Sequence, residues 1–187
     1  MSAISLQGNA GGTGTLTVAA PSTNTNRTLT LPDNTGTLIS TGSTFAGTGP
    51  AFSATMSGNQ SVTTSTYTQV QFSTEDFDTA FRYNNTGATV GGIPAYSFLP
   101  NVEGYYQVSA AVYPNTAVTG INCAIYKNNA IFRANGGTTT SAEISLLVYL
   151  NGSTDYISIF GFLVGTTPAI NGGVTVSYFT AAMVRAA

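Results

Sequence analysis

The stretch 105–113 is predicted to be one long β-strand, because its side chains alternate in character with a period of two. One face carries only apolar residues, which suits the interior of a β-sandwich. The other carries two tyrosines among small and polar residues, a mixture typical of a face covered by another protein surface. The first set is Tyr106, Val108, Ala110 and Val112, and the second is Tyr105, Gln107, Ser109, Ala111 and Tyr113.

The rest of residues 51–187 repeats this strand pattern, and no stretch shows a sustained apolar period of 3.6 residues. Turn-forming residues separate the strands, as in Asn135-Gly136-Gly137 and Asn151-Gly152. We therefore predict an all-β, ten-stranded, two-sheet sandwich of jelly-roll form, with helix nearly absent. The predicted strands are 51–56, 67–72, 81–84, 95–99, 105–113, 122–126, 130–134, 143–150, 156–164 and 174–185.

Three late strands, 143–150, 156–164 and 174–184, are apolar on both faces. The sandwich of a lone monomer buries one face of each sheet and wets the other, so a second surface should cover these strands. Another copy of the same chain is the simplest supplier of that surface, and the alternative is a cover of loops. The residues expected in the interface are Tyr105, Tyr113, Leu147, Tyr149, Phe160, Phe162 and Phe179.

Charged residues make up 6 % of the chain, against about 25 % in typical proteins. The formal net charge is −2 and no basic cluster occurs, so neither nucleic acid nor a membrane surface is an expected partner. The start of the sequence has no signal-peptide pattern, and no apolar run approaches the length of a membrane span. We expect synthesis in a cytoplasm, without membrane insertion.

The sequence offers little catalytic chemistry. It contains no histidine, which excludes Ser–His–Asp and Cys–His arrangements. The single cysteine, Cys123, lies in an apolar run and is expected to be a small buried hydrophobe rather than a reactive thiol. Neither an enzymatic activity nor a cofactor is expected.

One acidic cluster, Glu75, Asp76 and Asp78, is open to three interpretations. Several carboxylates close together could bind Ca²⁺, and a pair of them could serve a glycosidase. The third interpretation is an acidic loop that pairs with nearby Arg82, and it is the one that we favour.

Residues 1–49 differ from the rest, since Gly, Thr, Asn and Ser dominate and large apolar residues come in three short bursts. Three such small strands cannot enclose a core alone and need copies of themselves. We predict two parts: a β stem at 1–49, ending in a flexible joint, and a head domain at 50–187.

Several motifs of the head resemble the C1q/TNF-like jelly-roll domain. They are Ala51-Phe-Ser-Ala54, Tyr83-Asn84, Phe98 followed by Gly104-Tyr-Tyr106, Leu150-Asn-Gly152 followed by Asp155-Tyr156, and Tyr178-Phe179 followed by Met183-Val184. The order and spacing match over about residues 50–187. Because domains of that family are compact homotrimers, the resemblance implies that the self-association predicted above is trimeric.

The stem has a resemblance of its own. Arg27-Thr-Leu-Thr-Leu-Pro-Asp-Asn-Thr-Gly-Thr-Leu38 is similar to a stretch common in bacteriophage tail fibres and other appendages. Together the two resemblances imply a structural virion protein, a trimeric tail fibre or similar appendage. Its residues 1–49 would bind other tail, baseplate or neck proteins, and its head would bind the host surface, for example a glycan. The alternatives are a non-adhesive decoration of capsid, neck or baseplate, and a C1q-like recognition module.

Overall fold

The computed structural model describes residues 11–13, 22, 24, 26 and 49–187. The chain divides into two compact units, residues 1–38 and 39–187. The three short strands predicted within residues 1–49 lie outside the described residues, and the predicted boundary between residues 49 and 50 stays a prediction.

The described part of the chain contains thirteen strands, and each of the ten predicted strands corresponds to one of them. They are β1 (Ala51–Thr55), β2 (Gln60–Ser61), β3 (Thr68–Gln69), β4 (Thr74–Asp78), β5 (Tyr83–Asn84), β6 (Ser97–Phe98), β7 (Glu103–Val112), β8 (Gly120–Lys127), β9 (Ala130–Gly136), β10 (Ala142–Asn151), β11 (Ile157–Val164), β12 (Ala169–Ile170) and β13 (Tyr178–Ala186).

The predicted number of strands was wrong by three, because the apolar alternation does not reveal β2, β4 and β12. Strands β2 and β12 are too short to show a period. Strand β4 has the sequence Thr-Glu-Asp-Phe-Asp, so the stretch that we expected to be an acidic loop is instead a polar strand.

Two antiparallel sheets form the sandwich, and the all-β prediction is confirmed. The first sheet has the order β10-β7-β13-β1-β4. The second has the order β5-β6-β11-β8-β9, with β3 also paired to β11, and β12 and β2 form a small separate ladder. Alternation in β7 follows the prediction, since Tyr106, Val108, Ala110 and Val112 are all fully buried between the sheets.

An aromatic cluster joins the two sheets. Phe52 of β1 lies 4.4 Å from Tyr83 and 4.7 Å from Phe98 of the second sheet, as measured between ring centroids. The ring of Phe179 from β13 meets Phe52 edge-on at 4.8 Å. The hydroxyl of Tyr83 donates a hydrogen bond of 2.8 Å to the carbonyl of Phe72, so this partly polar ring is satisfied inside the core.

Phe179 is therefore not an interface residue, and that prediction was wrong. Its β-sheet partners are Ala54 and Ala110, both fully buried, and residues paired across a sheet share one face. The sequence interpretation began the last strand at residue 174, but β13 begins at Tyr178 and the apolar Val174 lies in the preceding turn.

Cys123 is fully buried beneath β7, as expected of a small hydrophobe. Burial raises the pKa of its thiol to about 12, so the reactive thiolate is almost absent at neutral pH.

We predict that Phe179→Ala lowers the free energy of unfolding by about 3–5 kcal/mol, because it leaves a cavity in the aromatic cluster. Urea unfolding at a fixed protein concentration measures the loss. Val174→Ala is the control, since this exposed side chain should contribute little. Equal midpoints for the two variants would contradict the central role of the cluster.

Candidate functional site

The outer face of the first sheet is built from short hydroxyl side chains along its centre. One row of paired residues crosses all five strands, namely Ser145, Ser109, Thr180, Ser53 and Phe77. Ser109 and Ser145 share a hydrogen bond of 2.7 Å between their Oγ atoms, and Gln107 Nε2 donates one of 2.9 Å to Ser145 Oγ. These polar side chains bond to one another, so they need few hydrogen bonds from water. Because most side chains of the row are short, the centre of the face is flat.

At one end of this face lies an apolar patch, formed by Tyr105, Leu147, Tyr149 and Val184. The four side chains are between 38 % and 57 % exposed. Tyr105 and Tyr149 are direct β-sheet partners whose ring centroids are 5.6 Å apart. Contiguous exposed apolar side chains are typical of interaction surfaces, whereas single exposed hydrophobes are normal on any protein.

A shallow groove runs along the patch. It is lined by Tyr105, Leu147 and Val184, together with Arg185 and Ala187 at the end of the sequence. A single guanidinium therefore borders an otherwise apolar groove.

The chain's own contacts fix the position of Tyr149. Its hydroxyl donates a hydrogen bond to Glu103, which raises the pKa of Tyr149 and keeps the phenol neutral. Lys127 Nζ lies 5.5 Å from the ring centroid and donates a 2.8 Å hydrogen bond to the Tyr149 carbonyl. Asp155 holds that ammonium group at 2.7 Å. The ring is thus positioned before any partner binds, which lowers the entropy cost of binding.

The remaining predicted interface residues do not join the patch. Tyr113 follows β7 at the opposite end of the strand, eight residues and roughly 27 Å from Tyr105, and donates a 3.1 Å hydrogen bond to Glu143. Phe160 and Phe162 lie on β11, in the second sheet.

Phe160 and Phe162 belong to a separate aromatic cluster. Tyr126 stacks on Phe160 with centroids 3.8 Å apart, and Tyr67 lies 5.1 Å from Phe162. All four side chains are half-buried. Tyr126 lies on β8 of the same sheet, so this cluster is not the cover of loops that was the alternative left open by the sequence.

The acidic residues of β4 are engaged in separate contacts. Asp76 accepts a 2.7 Å hydrogen bond from Ser53 Oγ, while Asp78 accepts backbone N–H groups of the following loop. Within the described ranges, no three Asp, Glu, His or Cys side chains come together in a way that could hold a metal ion. Arg82 reaches Asp78 through its backbone N–H rather than its guanidinium. The calcium site stays a prediction.

Sequence reasoning missed two exposed aromatic residues near the β4 edge, Phe77 and Phe81. Phe81 is 88 % exposed and has a φ angle of +54°, unusual for a bulky residue. The signal for this turn was Asp78, since an Asp side chain often accepts the N–H two residues on. Phe81 was instead assigned to a strand that begins only at Tyr83.

Comparison with known proteins gives the fold and nothing finer. No protein-family model matches the chain, and no curated protein matches it. The structure of Eiger TNF from S. frugiperda aligns with a TM-score of 0.52 at 11 % identity, over 74 % of this chain and 92 % of that one. Murine APRIL aligns with a TM-score of 0.55 at 8 % identity, over 73 % and 99 %.

The described head is thus a TNF-like jelly roll. A looser likeness is to the PRD1 vertex protein P5, with a TM-score of 0.49 at 17 % identity over 73 % of this chain and 97 % of that one. No helix that could cross a membrane occurs in the part of the chain that the structure describes.

We predict that Asp155→Asn destabilises the head at pH 7 and that the difference disappears in acid. Partial burial pushes the pKa of Asp155 up, but hydrogen bonds from Lys127 and Asn128 outweigh it and hold the pKa below its usual value. A lowered folded pKa gives stability that is present above the unfolded pKa, near 4, and is lost as the pH falls through the folded value.

Urea unfolding of wild type and Asp155→Asn between pH 7 and pH 2 tests this. We expect a loss of roughly 1–3 kcal/mol at pH 7 that shrinks below about pH 4. Glu143→Gln is the control, because the amide oxygen can still accept from Tyr113. A difference independent of pH would show that the charge of Asp155 is not what stabilises the head.

Proposed function

We propose that the chain forms a homotrimer whose head is the knob of a bacteriophage tail fibre or similar appendage and attaches the virion to the host surface. The observation that carries the self-association is the apolar patch. Tyr105, Leu147, Tyr149 and Val184 stay exposed side by side although the chain has already folded its own core. A second copy of the chain removes that surface from water without requiring any other partner.

Three copies fit better than an open stack. In a sandwich, the outer faces of the two sheets point in opposite directions, and contacts on both faces would build an endless filament. A closed ring of three instead needs two different patches whose directions differ by roughly 60°. The first sheet offers two patches that do not point in opposite directions, namely its outer face and one of its edges, so contacts between them need not build a filament. The TNF-like fold and the C1q/TNF resemblance support the same number.

The bacteriophage assignment is supported by the stem motif at residues 27–38 joined to this head. In this proposal residues 1–49 bind other tail, baseplate or neck proteins, which places the protein in the virion. Three heads on one fibre would bind a host glycan through several weak contacts at once, so the total affinity gains from their number.

Light scattering on the freshly purified full chain tests the assembly. We expect three times the chain mass of 19.2 kDa. Leu147→Asp should raise the chain concentration at which half of the trimer dissociates by about tenfold or more, since it places a charge in the patch. Ile131→Asp is the matched control, because Ile131 is 52 % exposed against 54 % for Leu147 but lies on β9 of the second sheet. A stable wild-type species with the mass of one chain would refute the proposal.

Attachment is tested by titrating fluorescent full-length trimer onto cells of the bacterium that the phage infects. We expect saturable binding, and at least about a tenfold loss for Leu147→Asp at equal chain concentration, because a monomer has no multivalent gain. Absence of saturable binding by the intact trimer would contradict attachment and favour the architectural alternative.

A further inference from the structure

We propose that the trimer closes by seating the β4 edge of one copy, led by Phe77 and Phe81, on the groove beside Tyr105, Leu147 and Arg185 of the next copy. This assignment rests on the trimeric assembly proposed above and names the two surfaces that meet.

The two surfaces lie at the same end of the sandwich. Thr79, just past β4, donates its N–H to the carbonyl of Ala51, and Phe81 follows two residues later. Ala51 pairs with Ala182, Ala182 with Gln107, and Gln107 with Leu147. These residues therefore lie in one row across the sheet, which places Thr79 at about the same height as Leu147. A threefold rotation moves a copy around the axis without sliding it along the axis, so contacting surfaces must lie at equal height. The Phe81 end of the β4 edge and the groove meet that condition, while Phe77 lies two residues nearer the centre of the sheet, in the row of Ser145.

The two surfaces also lie at opposite edges of the first sheet. In the described order β10-β7-β13-β1-β4, the groove belongs to the β10 and β7 side and Phe77 and Phe81 belong to the β4 side. Three sheets that face a common axis would bring the β4 edge of each copy to the β10 side of its neighbour. The flat row of short hydroxyl side chains then lines the axis, where three copies come closest.

The Phe81 loop is held in a shape that presents the ring to solvent. The carboxylate of Asp78 accepts the N–H groups of Ala80 at 3.1 Å, Arg82 at 2.6 Å and Tyr83 at 2.7 Å. These three bonds flank Phe81 on both sides and maintain its positive φ. A strained backbone that exposes an apolar ring lowers the stability of the single chain. A contact between copies that buries the ring would offset this cost.

Charge favours the same pairing. Beside Phe81 lies the carboxylate of Glu75, which forms no ion pair with a cation of the described chain. Arg185 at the groove likewise has no carboxylate within ion-pair distance among the described residues. Glu103, the nearby acid of the patch, already accepts the hydroxyl of Tyr149. Contact between copies would bring Glu75 to Arg185.

Phe81→Asn separates assembly from folding. Asn tolerates a positive φ far better than Phe, so the single chain should be at least as stable as wild type. Loss of the ring should nevertheless raise the chain concentration at half dissociation by about tenfold or more. Sedimentation and urea unfolding measure the two effects, with Ile131→Asn as the control for loss of an exposed hydrophobe. Unchanged dissociation of Phe81→Asn would overturn the proposal.

Charge reversal provides the second test. Glu75→Arg and Arg185→Glu should each weaken the trimer, and the double variant should recover most of the loss, because the pair is restored with opposite polarity. Losses that simply add in the double variant would refute the contact. If the wild-type chain is a monomer, the trimer and this contact both fail. If wild type is a trimer that neither test perturbs, this contact alone fails.

Discussion

The packing of Phe52 against aromatic rings from both sheets is the interaction on which the structure depends. Phe52 contacts Tyr83 and Phe98 on one side of the sandwich and Phe179 on the other. Because these rings fix the spacing of the sheets, β1 and β13 are held with Ser53 and Thr180 facing outward. The core therefore also determines the outer face. Each residue that points inward to pack around Phe52 directs its neighbour in the strand outward.

Sequence alone predicts those parts of the fold in which one strand has a single apolar face. The alternation in β7 correctly placed Tyr106 inside and Tyr105 outside. It failed where both faces are apolar, since nothing local says which face meets the core. Phe179 was misassigned for that reason, and its direction became clear only from its pairing with Ala54.

The candidate surface depends on contacts between distant residues and was only half predictable. Val184 and Arg185 reach the groove because of a register shift in β13 opposite Tyr105, which no periodicity reveals. Phe81 is exposed because the Asp78 carboxylate turns the backbone there. A polar strand such as β4 has no apolar alternation at all, so its place at the edge of the described sheet follows from pairing with β1 rather than from its own residues.

The deep burial of Cys123 has a practical consequence. Its thiol is the only one in the chain, and with a pKa near 12 it is almost never in the nucleophilic form. Thiol-directed dyes and cross-linkers should therefore pass over the native protein. A new cysteine at an exposed position such as Ile131 would take up one such probe per chain, without any need to replace the original residue.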